Sequence, residues 1–333
     1  MKRRLIPGVP ALLMLAAMAP AADAAAPKVV VSIKPLHSLV AGVMAGVASP
    51  DLLLGGGASP HHYALKPGEA KLLSEADLIV SIGPRMELFL AKPIEALAGK
   101  TRHLATMESP GVTVLRARAG GVWEAHAHAE PAAKAKGGDH NHDHGHDHDH
   151  DHDHDKAATR SDDTHIWLDP RNAKAMTAAI AATLSDVDAP NAQRYRANAD
   201  ALAKRIDALD AELAVTLKPL ADRPFVVFHD AFQYFENRYG LRAVGSITVT
   251  PEAQPGARRI KQVKDKITQL GAACVFAEPG YEPRLVSMLT AETGARSGEL
   301  DPEGTTLTAG PDLYFTLMRA IGSGLAACLA PNG

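Results

Sequence analysis

Pro190–Leu220 reads PNAQRYRANADALAKRIDALDAELAVTLKPL. Leu202, Ile206, Leu209, Leu213 and Leu217 recur in it at three- and four-residue steps. Lys204, Arg205, Asp207, Asp210 and Glu212 occupy the other face. That spacing predicts one long amphipathic helix. About 27 residues at 1.5 Å each give roughly 40 Å, enough to run the length of two lobes. Pro219 and Pro224 then end it. The sequence on both sides alternates short β-branched runs with helical patterns. Before the helix, Lys28–Ile33 (KVVVSI), Leu52–Leu54 and Asp77–Ile82 read as strands, and Leu39–Val47 and Lys66–Ala76 as helices. After it, Pro224–Phe228, part of Leu241–Val249, Ala273–Ala277 and a stretch near Arg296–Leu300 read as strands. Arg258–Leu270 and Pro311–Leu329 read as helices. Such alternation implies parallel sheets. The expected fold is α/β: two lobes with parallel-type sheets, 26–188 and 221–333, joined by a backbone helix over 189–220.

The first 25 residues read as a secretory signal peptide. Lys2, Arg3 and Arg4 precede an apolar run from Leu5 to Met18, and Ala22-Asp23-Ala24 resembles a cleavage site. The run is short for a membrane span of ~20 residues. A soluble chain in the periplasm is therefore expected. Removing three positive charges and one negative charge with this segment takes the formal net charge from −3 to −5, which argues against a nucleic-acid partner. Cys274 and Cys328 are the two cysteines. In an exported chain they read as one disulfide, whose loop of roughly 55 residues would contribute ~4 kcal/mol in the chain-entropy model. A thiolate metal pair is the alternative, but C-x-x-C spacing is lacking.

One segment, 126–160, stands apart. Its centre, Asp139–Asp155, reads DHNHDHGHDHDHDHDHD. It cannot bury apolar surface and is expected to be a disordered loop within the first lobe. Its histidines, His140, His142, His144, His146, His148, His150, His152 and His154 among them, form either an auxiliary metal loop or a solvated spacer.

Three histidines lie outside that segment and after predicted strands: His61 in GASPHHY, His165 in DTHIWLDP and His229 directly after PFVVF. Ligands of open α/β sheets sit beyond the carboxyl ends of the strands. Three neutral imidazoles converging there suit zinc. His62 is the alternative to His61. Asp301, in GELDPEGT, either completes a tetrahedron or caps the turn before Pro302. Glu278, in FAEPG, is a weaker candidate beside the ligands. Three histidines with an open position also describe a catalytic zinc, but neither HExxH nor a nucleophile elbow is present. A non-enzymatic metal receptor is the stronger expectation.

These stretches carry a family resemblance. SIKPLHSLV, LLGGGASPHHYALKPGEAKLLSEADLIVSIGPRME, HIWLDPRNA, FVVFHDAFQYFENRYGL, ITVTPEAQPGARRI, CVFAEP and LDPEGT span almost the whole chain after the leader. Together they are similar to the zinc-specific solute-binding proteins of ABC importers, the ZnuA type within the cluster A-I metal receptors. The resemblance implies two (β/α) lobes around a backbone helix, with the metal in the inter-lobe cleft. It implies His61, His165 and His229 as ligands, zinc as cargo, and an inner-membrane ABC permease as partner, the receptor itself being monomeric. It also places an acidic His-rich loop before HIWLDP and pairs Cys274 with Cys328. Some members carry Glu before the first histidine, where this chain has Pro60, and that departure shifts weight to Asp301 or a water. Manganese members carry a carboxylate where this chain has His229, so the imidazole there points to zinc.

Overall fold

The computed structural model describes residues 26–118, 123, 162–248, 250–281 and 283–330. The expected signal peptide and the histidines from His126 to His154 lie outside the described residues. The first half runs β1 (Val29–Val31), α1 (Lys34–Val43), β2 (Asp51–Leu52), α2 (Pro67–Glu75), β3 (Leu78–Ser81), α3 (Ala91–Ala96) and β4 (Arg102–Ala105). Two helices follow, α4 (Pro170–Val187) and α5 (Ala192–Leu217). The second half runs β5 (Pro224–His229), α6 (Gln233–Tyr239), β6 (Arg242–Thr248), α7 (Ala257–Leu270), β7 (Cys274–Ala277), α8 (Pro283–Thr293), β8 (Arg296–Glu299) and α9 (Leu313–Leu329).

The strands form two four-stranded sheets, ordered β2-β1-β3-β4 and β6-β5-β7-β8, and every pairing is parallel. In the first sheet Val29 pairs with Leu78 and Val31 with Val80; in the second Phe225 pairs with Cys274. β1 is buried along its whole length, as a strand covered on both faces must be. In each sheet the connections leaving the two central strands run to opposite sides, β1 to β2 and β3 to β4 in the first, β5 to β6 and β7 to β8 in the second. That leaves a crevice at β1/β3 and another at β5/β7.

The helix that decides the architecture spans 26 residues in α5, roughly 39 Å at 1.5 Å rise. Tyr195, Ala199, Leu202, Ile206, Leu209, Leu213 and Leu217 are buried along one stripe, against α1, α4 and α9. A short 3-10 turn at Lys218–Leu220, containing Pro219, ends it. One apolar cluster includes Val30 of β1, Leu39 of α1, Leu184 of α4, Ile206 of α5, Phe225 of β5 and Leu325 of α9. The two sheets therefore share a core instead of owning separate ones. A second cluster, with Val226, Ile247, Val263 and Leu289, covers the outer face of the second sheet. Cys274 and Cys328 are bonded, tying β7 to α9.

Several boundaries differ from expectation. α1 begins at Lys34 rather than Leu39, because Pro35 sits in its first turn, where a missing N–H costs nothing. α4 and the short helices α3, α6 and α8 carry weak or Ala-rich patterns that hydrophobic spacing does not reveal. No described helix is long and apolar enough to cross a membrane.

Candidate metal centre

Each histidine reaches the crevice by a different local device. After β2 the chain turns through Gly56 and Gly57, both at positive φ (68° and 81°), a region that disfavours a side chain. It then enters a 3-10 turn, Pro60–His62, in which the Ser59 hydroxyl accepts from the His61 backbone N–H at 3.3 Å. His165 stands just before the turn Ile166–Leu168 that leads into α4. Asp163 Oδ1 accepts both its backbone N–H (3.0 Å) and its ring Nδ1–H (2.8 Å). His229 is the last residue of β5 and is fully buried. Its Nδ1 lies 2.5 Å from Glu278 Oε2, on the residue following β7. His229 and Glu278 thus face each other across the β5/β7 switch point.

The three rings converge. Their centroids are 5.4 Å (His61–His165), 5.9 Å (His61–His229) and 5.3 Å (His165–His229) apart. One ligand atom from each lies within 4.8 Å of the others. A carboxylate only accepts, so Asp163 and Glu278 fix the Nδ1 positions of two rings as donors and leave Nε2 as the ligand atom when the ring is neutral. Those two Nε2 atoms are 3.4 Å apart. Two nitrogens bound to one tetrahedral zinc at ~2.0–2.1 Å would be ~3.3–3.4 Å apart. Facing lone pairs at that distance repel unless a cation or a proton lies between them.

Electrostatics favour a positive charge there. Burial opposes the charge on His229, but Glu278, by field and hydrogen bond, with Asp230 and Glu252, lifts its pKa above the ordinary imidazole value. A proton and a metal ion therefore compete for the same pair of nitrogens. Burial, together with Glu278, Asp301 and Glu252, raises the Glu303 carboxyl well above its ordinary value.

The group contains His61 and not His62, whose Nε2 faces Glu252 at 3.9 Å and is mostly exposed. Asp301 is outside it. Its Oδ1 accepts from Glu303 N (3.0 Å) and Gly304 N (2.8 Å), and its Oδ2 from Thr305 N (2.6 Å) and Thr305 Oγ1 (2.8 Å). All four bonds close its own turn, which is the cap that Asp-Pro promised. The same loop is held to the first lobe by Lys34 Nζ on Thr305 O (2.6 Å) and by Trp167 Nε1 on Pro302 O (2.8 Å). Asp163 was missed on sequence, although its place two residues before His165 is the spacing of a side chain that folds back on its own backbone.

Comparison with known proteins identifies the family. The family model described as "ZnuA: Zinc-uptake complex component A periplasmic" matches residues 29–328. A high-affinity zinc uptake system protein ZnuA of Brucella suis is 51% identical over 305 residues, covering 91% of each chain. Its counterpart in Paracoccus denitrificans is 44% identical, covering 93% of this chain and 94% of the relative. A crystal structure of ZnuA superposes with a TM-score of 0.72 at 26% identity, covering 92% of this chain and all of the other. A match over nearly the whole folded chain, with the three histidines gathered as described, places the protein in the ZnuA family.

Proposed function

We propose that the chain is the periplasmic receptor of a zinc importer, which captures Zn²⁺ on His61, His165 and His229 and delivers it to an inner-membrane ABC permease. It is a binding protein and not an enzyme. Export by the 1–25 leader, action as a monomer, and the division into lobes 26–188 and 221–333 about the 189–220 helix belong to the same reading. The carrying observation is the 3.4 Å separation of the His165 and His229 Nε2 atoms, with each ring's Nδ1 committed to a carboxylate. The relatives' shared designation as high-affinity zinc uptake proteins supports the same cargo.

Three protein ligands leave one position of a zinc tetrahedron for water or for a receiving group. That open position suits a cargo that must leave. It does not imply hydrolysis, since both carboxylates weighed as a base are occupied, Glu278 by His229 and Asp301 by its own turn. Three neutral imidazoles favour zinc over manganese. The His-rich loop (His140, His142, His144, His146, His148, His150, His152 and His154) serves in this reading as a loose reservoir that feeds the cleft. Sites built on such low-complexity sequence should pay ordering entropy on binding and hold zinc more weakly than the cleft. Titration calorimetry of His61→Ala, His165→Ala and His229→Ala tests the proposal. Each should lose the tight zinc site, and tight one-to-one binding retained in all three would refute it.

A further inference from the structure

Arg118 is far from His229 in sequence, yet it is built against the residue beside it, Asp230, 112 positions away. Its Nε lies 3.0 and 3.1 Å from the two carboxylate oxygens of Asp230, and its Nη2 also contacts Asp230. Nη1 and Nη2 reach the Glu236 carboxylate at 2.8 and 2.9 Å. Trp123 stacks on the guanidinium, 3.6 Å from ring centroid to Cζ. Both carboxylate residues are buried, at 4% and 6% exposure. Two buried carboxylates so close repel each other, and Arg118 supplies a cation between them. Asp230 follows His229 at the end of β5, and Glu236 lies in the first turn of α6 and accepts from Ala243 N at the start of β6 (3.3 Å).

The same segment is tied to the His165 side. Tyr234 of α6 accepts from Leu115 N at 2.9 Å and donates to Asp163 O at 2.7 Å, while Asp163 N donates to Leu115 O at 2.8 Å. Gln233 Nε2 donates to Arg116 O at 3.1 Å. Residues 115–118 therefore form a clasp between the turn that carries His165 and the strand end that carries His229.

We infer that Arg118 is a positioning residue for the metal centre: by gripping Asp230 and Glu236 together it fixes the end of β5 and so the aim of His229 at His165. The inference rests on the proposed zinc site. The forked guanidinium is essential to it, because two carboxylates must be held at once in fixed planes, which the single ammonium of lysine cannot do.

Arg118→Gln tests it in the full chain, with zinc affinity from chelator competition and with Co²⁺ as a spectroscopic substitute for zinc. The expected result is a folded variant that binds zinc about 10-fold or more weakly, as for loss of other groups that orient ligands, and whose Co²⁺ d–d bands change in energy and intensity. Arg118→Lys should not restore either. Unchanged affinity and an unchanged Co²⁺ spectrum, or full rescue by lysine, would overturn the inference. If Arg118→Gln does not fold, Asp230→Asn keeps the Arg118–Glu236 half, and wild-type values in that variant overturn the inference equally. His229→Ala run in parallel separates the two layers. Tight binding surviving there discards the site itself, whereas its loss there beside wild-type behaviour in Arg118→Gln discards only the clasp.

Discussion

Replacing Glu278 by Gln removes a charge while keeping an oxygen that can accept from His229 Nδ1. The pair is buried, His229 fully and Glu278 nearly so, so solvent does little to screen the lost charge. Groups that orient and polarise a ligating imidazole typically control 10–100-fold in metal affinity, about 1.4–2.7 kcal/mol. At pH 8 Glu278→Gln should weaken zinc binding by that factor. The acid limb should move the other way. Burial lowers the His229 pKa, and Glu278 is the first of the groups that raise it. Without that charge burial prevails, the ring releases its proton at lower pH, and proton competition begins later on acidification. The wild type should lose affinity from above the ordinary imidazole value of ~6.5 downward, and the variant from a lower pH, so the two curves converge in acid. Linkage gives a second sign. Because the folded pKa of His229 is raised, its pairing with Glu278 stabilises the metal-free protein fully below the unfolded value and fades as pH rises through the folded one. Chelator competition from pH 5.5 to 8.5 reads the first effect, and denaturant melts of the metal-free protein read the second. An equal dissociation constant at pH 8 with an unmoved acid limb would refute the role given to the carboxylate.

Loss of the disulfide in Cys274→Ala/Cys328→Ala opens a loop with a sequence separation of 54. It should cost about 4 kcal/mol in the chain-entropy model, and reduced and oxidised protein with equal denaturant midpoints would contradict this. Leu209→Ala, at a fully buried position of α5, should cost about 2–5 kcal/mol and lower the midpoint without creating separate transitions for two lobes. Biphasic unfolding would show that the shared core does not couple them. Deleting Glu130–Asp155 should lower the number of zinc ions bound yet leave one tight site, and calorimetry showing no tight site would undo the cleft assignment. Small-angle scattering should give nearly equal radii of gyration with and without zinc, and a wide closure would contradict the bracing role of α5.

The sequence made the strands and the candidate metal ligands legible for different reasons. Runs such as KVVVSI and PFVVF are short, β-branched and continuous, which a strand buried on both faces requires. His229 was visible because it directly follows such a run, His61 because it comes after the strand ending at Leu54, and His165 because it stands just past the low-complexity segment. α5 was visible because its stripe is long and its other face charged. α4, PRNAKAMTAAIAATLSDV, was not, since alanine reads equally well on either face and leaves little contrast. Asp301 was ambiguous because an Asp-Pro carboxylate can serve a metal or its own turn, and only the backbone path, which points three N–H groups at it, decides. Arg118 and Asp230 are 112 residues apart, and no local pattern announces a partner at that distance.

Under the proposed function, the way the three histidines are held bears on which of them would give way on release. His165 is fixed by two bonds to Asp163, and His229 by Glu278, by the β5 ladder and by the Arg118 clasp on its neighbour. Both sit in the body of the molecule, where the apolar cluster shared by the two sheets resists hinging: parting the lobes would expose Ile206, Leu209 and Leu213 of α5 to water. His61 is different. It is only partly buried and rides on a 3-10 turn reached through three consecutive glycines, Gly55, Gly56 and Gly57. A turn of that kind can be displaced without breaking either sheet or the core. Two rigid imidazoles and one on a loop make a site that holds a cation firmly when the turn is seated and has only two protein ligands when it lifts. Under the proposed function zinc would then leave by a local movement that the long helix α5 does not oppose.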